Sequence, residues 1–199
     1  MKTRLTIIII SIFLGLGLQA QEVPGLLDEA GSEYKAGNLE DARFALQQAL
    51  NGINQAIGRD ILELMPEELG GMPKVAEEDD VTGVNVGFAG LFVSRNYRNE
   101  TSDASMEIVS DSPLLGSIGM LLSMPTFLNS DPNQKRIKVD GQKALLTKSA
   151  SEEGPVSYDV QLVFGSSLFT FRTNGVENED DVISMLDKIP LREIIEVAQ

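Results

Sequence analysis

The sequence predicts an α+β fold, an N-terminal helical hairpin followed by an antiparallel β-sheet domain with flanking helices. Three observations predict it. Apolar residues between Leu26 and Leu64 recur with a helical period, Pro and Gly break that pattern after Met65, and alternation of strand type begins near Val81. The chain divides accordingly: residues 1–20 as a signal peptide, 21–65 as the hairpin, 66–80 as a linker and 81–199 as the sheet domain.

The first twenty residues carry an address. Lys2 and Arg4 precede a nearly unbroken apolar run from Leu5 to Leu18, and Leu18-Gln19-Ala20 offers small or neutral residues to a peptidase. Positive charge holds such a start on the cytoplasmic side while the apolar run enters the translocon. The run is too short to span a bilayer of about 30 Å comfortably. A cleaved, exported protein is expected, periplasmic or extracellular, with Gln21 as its new amino terminus. The remainder would hold 14 basic residues against 30 acidic ones, a net charge of −16. That charge disfavours nucleic acid and anionic headgroups as primary partners. The chain has no cysteine, histidine or tryptophan. Disulfides, lipidation of a mature cysteine, and the usual zinc, copper and haem ligands therefore drop out, together with the common triad bases. No cofactor is expected.

In the hairpin, Leu26-Leu27 and Ala30 lead to Tyr34, and Gly37-Asn38 turns the chain. Leu39, Ala42, Ala45-Leu46, Ala49-Leu50, Ile53 and Ile57 then mark one face of a second helix, with small residues that let a neighbour approach closely. Tyr34, Gly37, Leu39, Ala42, Leu46 and Ala49 match the spacing of a tetratricopeptide repeat, with Ala30 at its small first-helix position, and the segment resembles one such unit. No second copy follows, and a solenoid needs about three units to cover its faces. The family's peptide-binding concave surface is therefore not carried over. Two readings stay open: a hairpin packed on the rest of the protein, or a docking module that self-associates or meets a repeat protein.

Pro66, Gly70-Gly71 and Pro73 stop helices, and Glu77 to Asp80 read as a solvated acidic run. Beyond them, Phe88 to Val93 suggests a strand buried on both faces and ending before Arg95. Met106 and Ile108 alternate with Glu107. Ile137 and Val139 alternate with Arg136 and Lys138, and Asp140-Gly141 is a type I′ hairpin signal. Tyr158, Val160, Leu162 and Phe164 share a face, and Gly165-Ser166-Ser167 turns the chain into Leu168 to Arg172. Six or seven mostly antiparallel strands are expected. Helices are expected from Pro113 to about Met124 and from an N-cap at Asn178, with only a short turn through Ile194-Ile195 after Pro190.

The sheet region resembles the PsbP-like fold of photosystem extrinsic subunits. The whole mature chain resembles exported bacterial proteins of unassigned function that join a short helical hairpin to such a domain, through Ser110-Asp111-Ser112-Pro113-Leu114-Leu115 and Val139 to Leu146. These resemblances bring no catalytic residues and imply a binding or assembly role with protein partners.

Two surfaces are candidates. Residues 112–130 contain no charge, and Leu121, Met124, Phe127 and Leu128 are the expected partner-binding residues there. The alternative is that the leucine face simply packs on the sheet. Lys135, Arg136, Lys138 and Lys143 form a local reversal of sign and are the expected anion-binding set, unless they protect a strand edge. Paired acidic residues are too frequent to single out a metal or catalytic pair, and the loop 129–133 lacks the spacing of a calcium loop. A non-enzymatic envelope protein with a protein partner is the expected function, and peripheral membrane contact stays open. The alternatives are a small-ligand or lipid carrier, and a hydrolase without recognisable motif.

Overall fold

A computed structural model describes residues 23–82, 90–112, 114–123, 132–149 and 154–199. The expected signal peptide, the site residues Met124, Phe127 and Leu128, and the start of the strand expected from Phe88 lie outside the described residues.

Helix α1 (Val23–Ala36) opens with Pro24, whose fixed φ suits a first helical turn. Gly37, at φ 85°, closes it as only a residue free of Cβ strain does readily. Helix α2 (Leu39–Leu64) runs back beside α1 until Met65, whose N–H bonds to the Ile61 and Leu62 carbonyls before Pro66 forbids another turn. Ala42, Ala45 and Ala49 are buried against Leu26 and Ala30, so small side chains set a close interhelix contact.

The stretch expected as a linker folds. Strands β1 (Glu68–Leu69) and β2 (Met72–Pro73) form a short hairpin with Leu69 and Met72 buried, and a 3₁₀ turn at Ala76–Glu78 leads into β3 (Asp80–Thr82). There follow β4 (Phe92–Arg98), β5 (Asp103–Ser110), α3 (Leu115–Ser123), β6 (Gln134–Val139), β7 (Gln142–Ser149), β8 (Ser157–Phe164) and β9 (Ser167–Asn174). Helices α4 (Glu179–Leu186) and α5 (Leu191–Ala198) end the chain. Strand β4 continues through Arg95, which the sequence reading placed beyond the strand. Arg95 is buried with a partner, so its charge does not force the strand to end there.

The sheet is antiparallel throughout, in the order β3-β4-β5-β9-β8-β7-β6. Two meanders meet where β9 pairs with β5, after the chain crosses from β5 to the far edge by way of α3. Alternation assigns Val93, Met106, Ile108, Val160, Leu162, Phe169 and Phe171 to one face. That face is covered by the C-terminal part of α2, the β1–β2 hairpin, α4 and α5, in one continuous core. On the other face, Ile118 and Leu122 of α3 pack on Leu145 and Leu168.

Asp140 and Gly141 both have positive φ, as a type I′ turn requires. Asp140 does more. Its carboxylate accepts from the Arg192 backbone N–H at 2.9 Å, capping the start of α5 from 52 positions away. Helix α5 itself corrects the expectation of a mere turn: Leu191, Ile194 and Ile195 make a buried stripe, and α5 packs on α2. Eight residues are too few to establish a period in sequence, so packing supplies what propensity does not. Asn178 stands at the N-cap of α4, but its amide donates to Asp181 instead of its oxygen accepting a backbone N–H.

Candidate docking surface

Burial of the hairpin is uneven. From Asn54 onward α2 meets the body of the protein: Asn54 donates to the Gly90 carbonyl at 2.7 Å, Gly58 leaves room for Val81, and Ile61 is fully buried. Before that point α2 has α1 as its chief neighbour. Of the nine large hydrophobic side chains exposed among the described residues, seven belong to these two helices: Leu27, Tyr34, Leu39, Phe44, Leu46, Leu50 and Ile53. Tyr34 and Leu39 are more than 60% exposed.

Helical geometry collects six of the seven. Leu27 and Tyr34 lie about a quarter turn round α1 from the Leu26/Ala30 stripe that faces α2. Leu39, Leu46, Leu50 and Ile53 lie about a quarter turn, in the same sense, from the Ala42/Ala45/Ala49 stripe that faces α1. Because the helices run antiparallel, equal offsets in the same sense bring both sets to one side of the hairpin. Phe44 projects elsewhere. At about half exposure, each of these side chains leaves roughly 1 kcal/mol of burial free energy unrealised. A contiguous apolar face of this kind marks an interaction surface more than ordinary scattered exposure does.

The sequence-predicted residues fare differently. Leu121 is half-buried, in the cluster that α3 forms on the sheet, while Leu114 just before α3 and Met120 on it remain exposed. Arg136, Lys138 and Lys143 share one sheet face, and Lys135 projects from the other. Lys135 points to the same sheet face as Ile137 and forms an ion pair with Glu179 at the start of α4. Arg136 donates to the Leu121 carbonyl at 2.9 Å. Lys138 and Lys143 are exposed and directly opposite each other across β6 and β7, an arrangement that repels. Strand β6 is one of the two outer strands of the sheet, where lysines blunt pairing between molecules.

Other polar clusters have clear internal roles. Arg95, 3% exposed, donates from Nε and Nη2 to the two Asp79 carboxylate oxygens at 2.9 and 2.6 Å, and from Nη1 to the Met65 carbonyl at 2.8 Å. Burial works against its charge, but the Asp79 hydrogen bonds and charge outweigh it and raise its pKa. Nearby, Tyr97 donates to the Pro66 carbonyl, and burial raises its pKa strongly. These two side chains clip the end of α2 onto the sheet. On the sheet face that α3 leaves open, Arg172 bridges Asp159 at 2.9 Å and Glu107 at 3.2 Å. Partial burial raises the Asp159 pKa, with Arg172 opposing the shift.

A groove of about 470 Å³ lies between the Gly70–Met72 turn, the loop at Asn99–Ser102 and α4. None of the four groups with shifted pKa among the described residues lines it. Among the described residues, no group of three or more Asp or Glu side chains is arranged to hold a metal ion, and no helix is long and apolar enough to cross a membrane.

No protein-family model, curated protein or solved structure matches the chain.

The sequence leaves a docking hairpin open without naming its exposed face, yet a signal for that face is present. Leu39, Leu46 and Ile53 repeat at seven, as do Leu27 and Tyr34, and both sets stand beside a small-residue stripe that already satisfies the partner helix.

Proposed function

We propose that this is a non-enzymatic exported protein of the cell envelope, periplasmic or extracellular, that docks through the outward face of α1 and α2. The observation that carries the reading is the concentration of exposed apolar side chains, among the described residues, on the part of the hairpin that stands off the core. Desolvating that face supplies binding free energy, while the net negative charge of the chain disfavours unspecific contacts with other acidic surfaces. The α3 region, by contrast, supports packing: Ile118 and Leu122 fill the space against Leu145 and Leu168 that a lipid or small-ligand carrier would keep open.

A photo-crosslinking amino acid at position 46, in protein expressed in its own cells, tests this. Position 48, exposed elsewhere on α2, is the control. An adduct from 46 and none from 48 is expected. Absence of any adduct from 39, 46 and 50 would sink the reading.

A further inference from the structure

We propose that the occupant of this face is a second copy of the chain, related by a two-fold axis that sets α1 against α1 and α2 against α2, antiparallel. This rests on the docking reading and names its partner. An isologous contact requires a surface that is its own complement under rotation, and the hairpin has that property. On α2, Leu39 and Ile53 are equidistant from Leu46. On α1, Leu27 and Tyr34 are equidistant from a point between Ala30 and Gly31. Both centres lie about seven residues from the Gly37-Asn38 turn, roughly 10 Å along each helix at 1.5 Å per residue. One axis therefore passes through both. It places Leu39 on Ile53 of the second copy, Leu46 on its counterpart, and Leu27 on Tyr34.

Two further features agree with that register. Gly31 sits near the axis on α1, and a Cβ added there meets nothing within 4 Å. The missing side chain lets two backbones approach. At the rim of the face, Asp28 and Lys35 are exposed and have no hydrogen-bond or ion-pair partner among the described residues. They are also seven apart with a midpoint one residue from the axis, so each Asp28 comes within about 3 Å, measured along the helix, of Lys35 of the other copy, twice per dimer. A chain of net charge −14 repels itself at long range, and this local pairing of opposite signs offsets that repulsion where the copies meet.

The face is two helices wide and about 20 Å long from Leu39 to Ile53. That is at the small end of the roughly 800 Å² per partner that stable pairs bury, so a micromolar dimer is expected.

Sedimentation equilibrium of the purified protein between about 1 and 200 μM tests the proposal, with circular dichroism to verify that each variant keeps its helix content. The wild type is expected to be dimeric at the upper concentrations, and L46E monomeric throughout. D28K, which sets lysine against lysine, is expected to weaken the dimer at least tenfold, and D28K/K35D to restore it. A wild type that stays monomeric at 200 μM, or a dimer indifferent to L46E, would overturn the inference. A dimer lost in L46E but unmoved by D28K would overturn the antiparallel register. A monomer whose position 46 crosslinks to a different protein would overturn the second copy as occupant while leaving the docking face standing.

Discussion

Replacing Arg95 with alanine isolates the contact that joins the end of the hairpin to the sheet. The guanidinium makes two hydrogen bonds to Asp79 and one to the Met65 carbonyl, and its side chain is almost wholly buried. Removing one partner of a buried pair costs roughly 3–5 kcal/mol, because the other charge is left in place without its counterion. Asp79 keeps 16% of its side chain exposed, so water recovers part of its solvation. The expected loss is therefore at the lower end, about 3 kcal/mol, equivalent to a fall in Tm of about 6–12 °C for a chain of this length. Equilibrium urea unfolding followed by circular dichroism measures it, with an unchanged m-value showing that the unfolding transition is otherwise the same. Asp79→Ala should also destabilise, and the double variant should lose less than the two single losses added, because the second truncation removes the stranded group. A loss below about 1 kcal/mol in R95A would place the pair with exposed surface bridges and refute the reasoning.

Asp159 gives a pH dependence. Its folded pKa is raised, chiefly by burial, so the stability it contributes is present below the unfolded pKa and is lost as pH rises through the folded one. Urea unfolding of wild type and D159N across pH 4 to 7 should show the stability of D159N rising relative to wild type with pH, and a relative fall would show that the Arg172 bridge, not burial, dominates. Gly175, at φ 76°, lies where an added Cβ would meet the Thr101 carbonyl oxygen, and its own N–H donates to the Val156 carbonyl at 3.0 Å. Gly175→Ala should cost more than about 1 kcal/mol from backbone strain alone, measurable by the same unfolding curves. A variant as stable as wild type would mean that the loop relaxes freely.

Much of the architecture was legible because it is locally encoded. Alternation at Tyr158 to Phe164 put four side chains on one face, and all four are buried. Asp140-Gly141 made the turn its dipeptide announces. The pairing of β5 with β9 was not legible, since nothing in either strand states its register with a segment some sixty positions away. The same holds for Arg95 and Asp79: each reads as an exposed charge until the fold places one against the other. The stretch 66–80 reads as a linker because Pro66, Gly70-Gly71 and Pro73 interrupt it and Glu77 to Asp80 are acidic, although Leu69 and Met72 within it are fully buried.

The sequence by itself determined the helical hairpin, the antiparallel sheet, the turns between strands and a chain with no cysteine or histidine. Only the tertiary structure decided which apolar faces are covered. Leu115 to Leu122 and Leu39 to Ile53 have comparable helical apolar patterns, but α3 crosses β7 and β8 and buries its stripe, whereas among the described residues the first half of α2 has α1 as its chief neighbour. Periodicity fixes the direction in which apolar side chains point along a helix. Whether anything stands there to exclude water depends on contacts between residues far apart in the chain, and that is settled only when the whole molecule has folded.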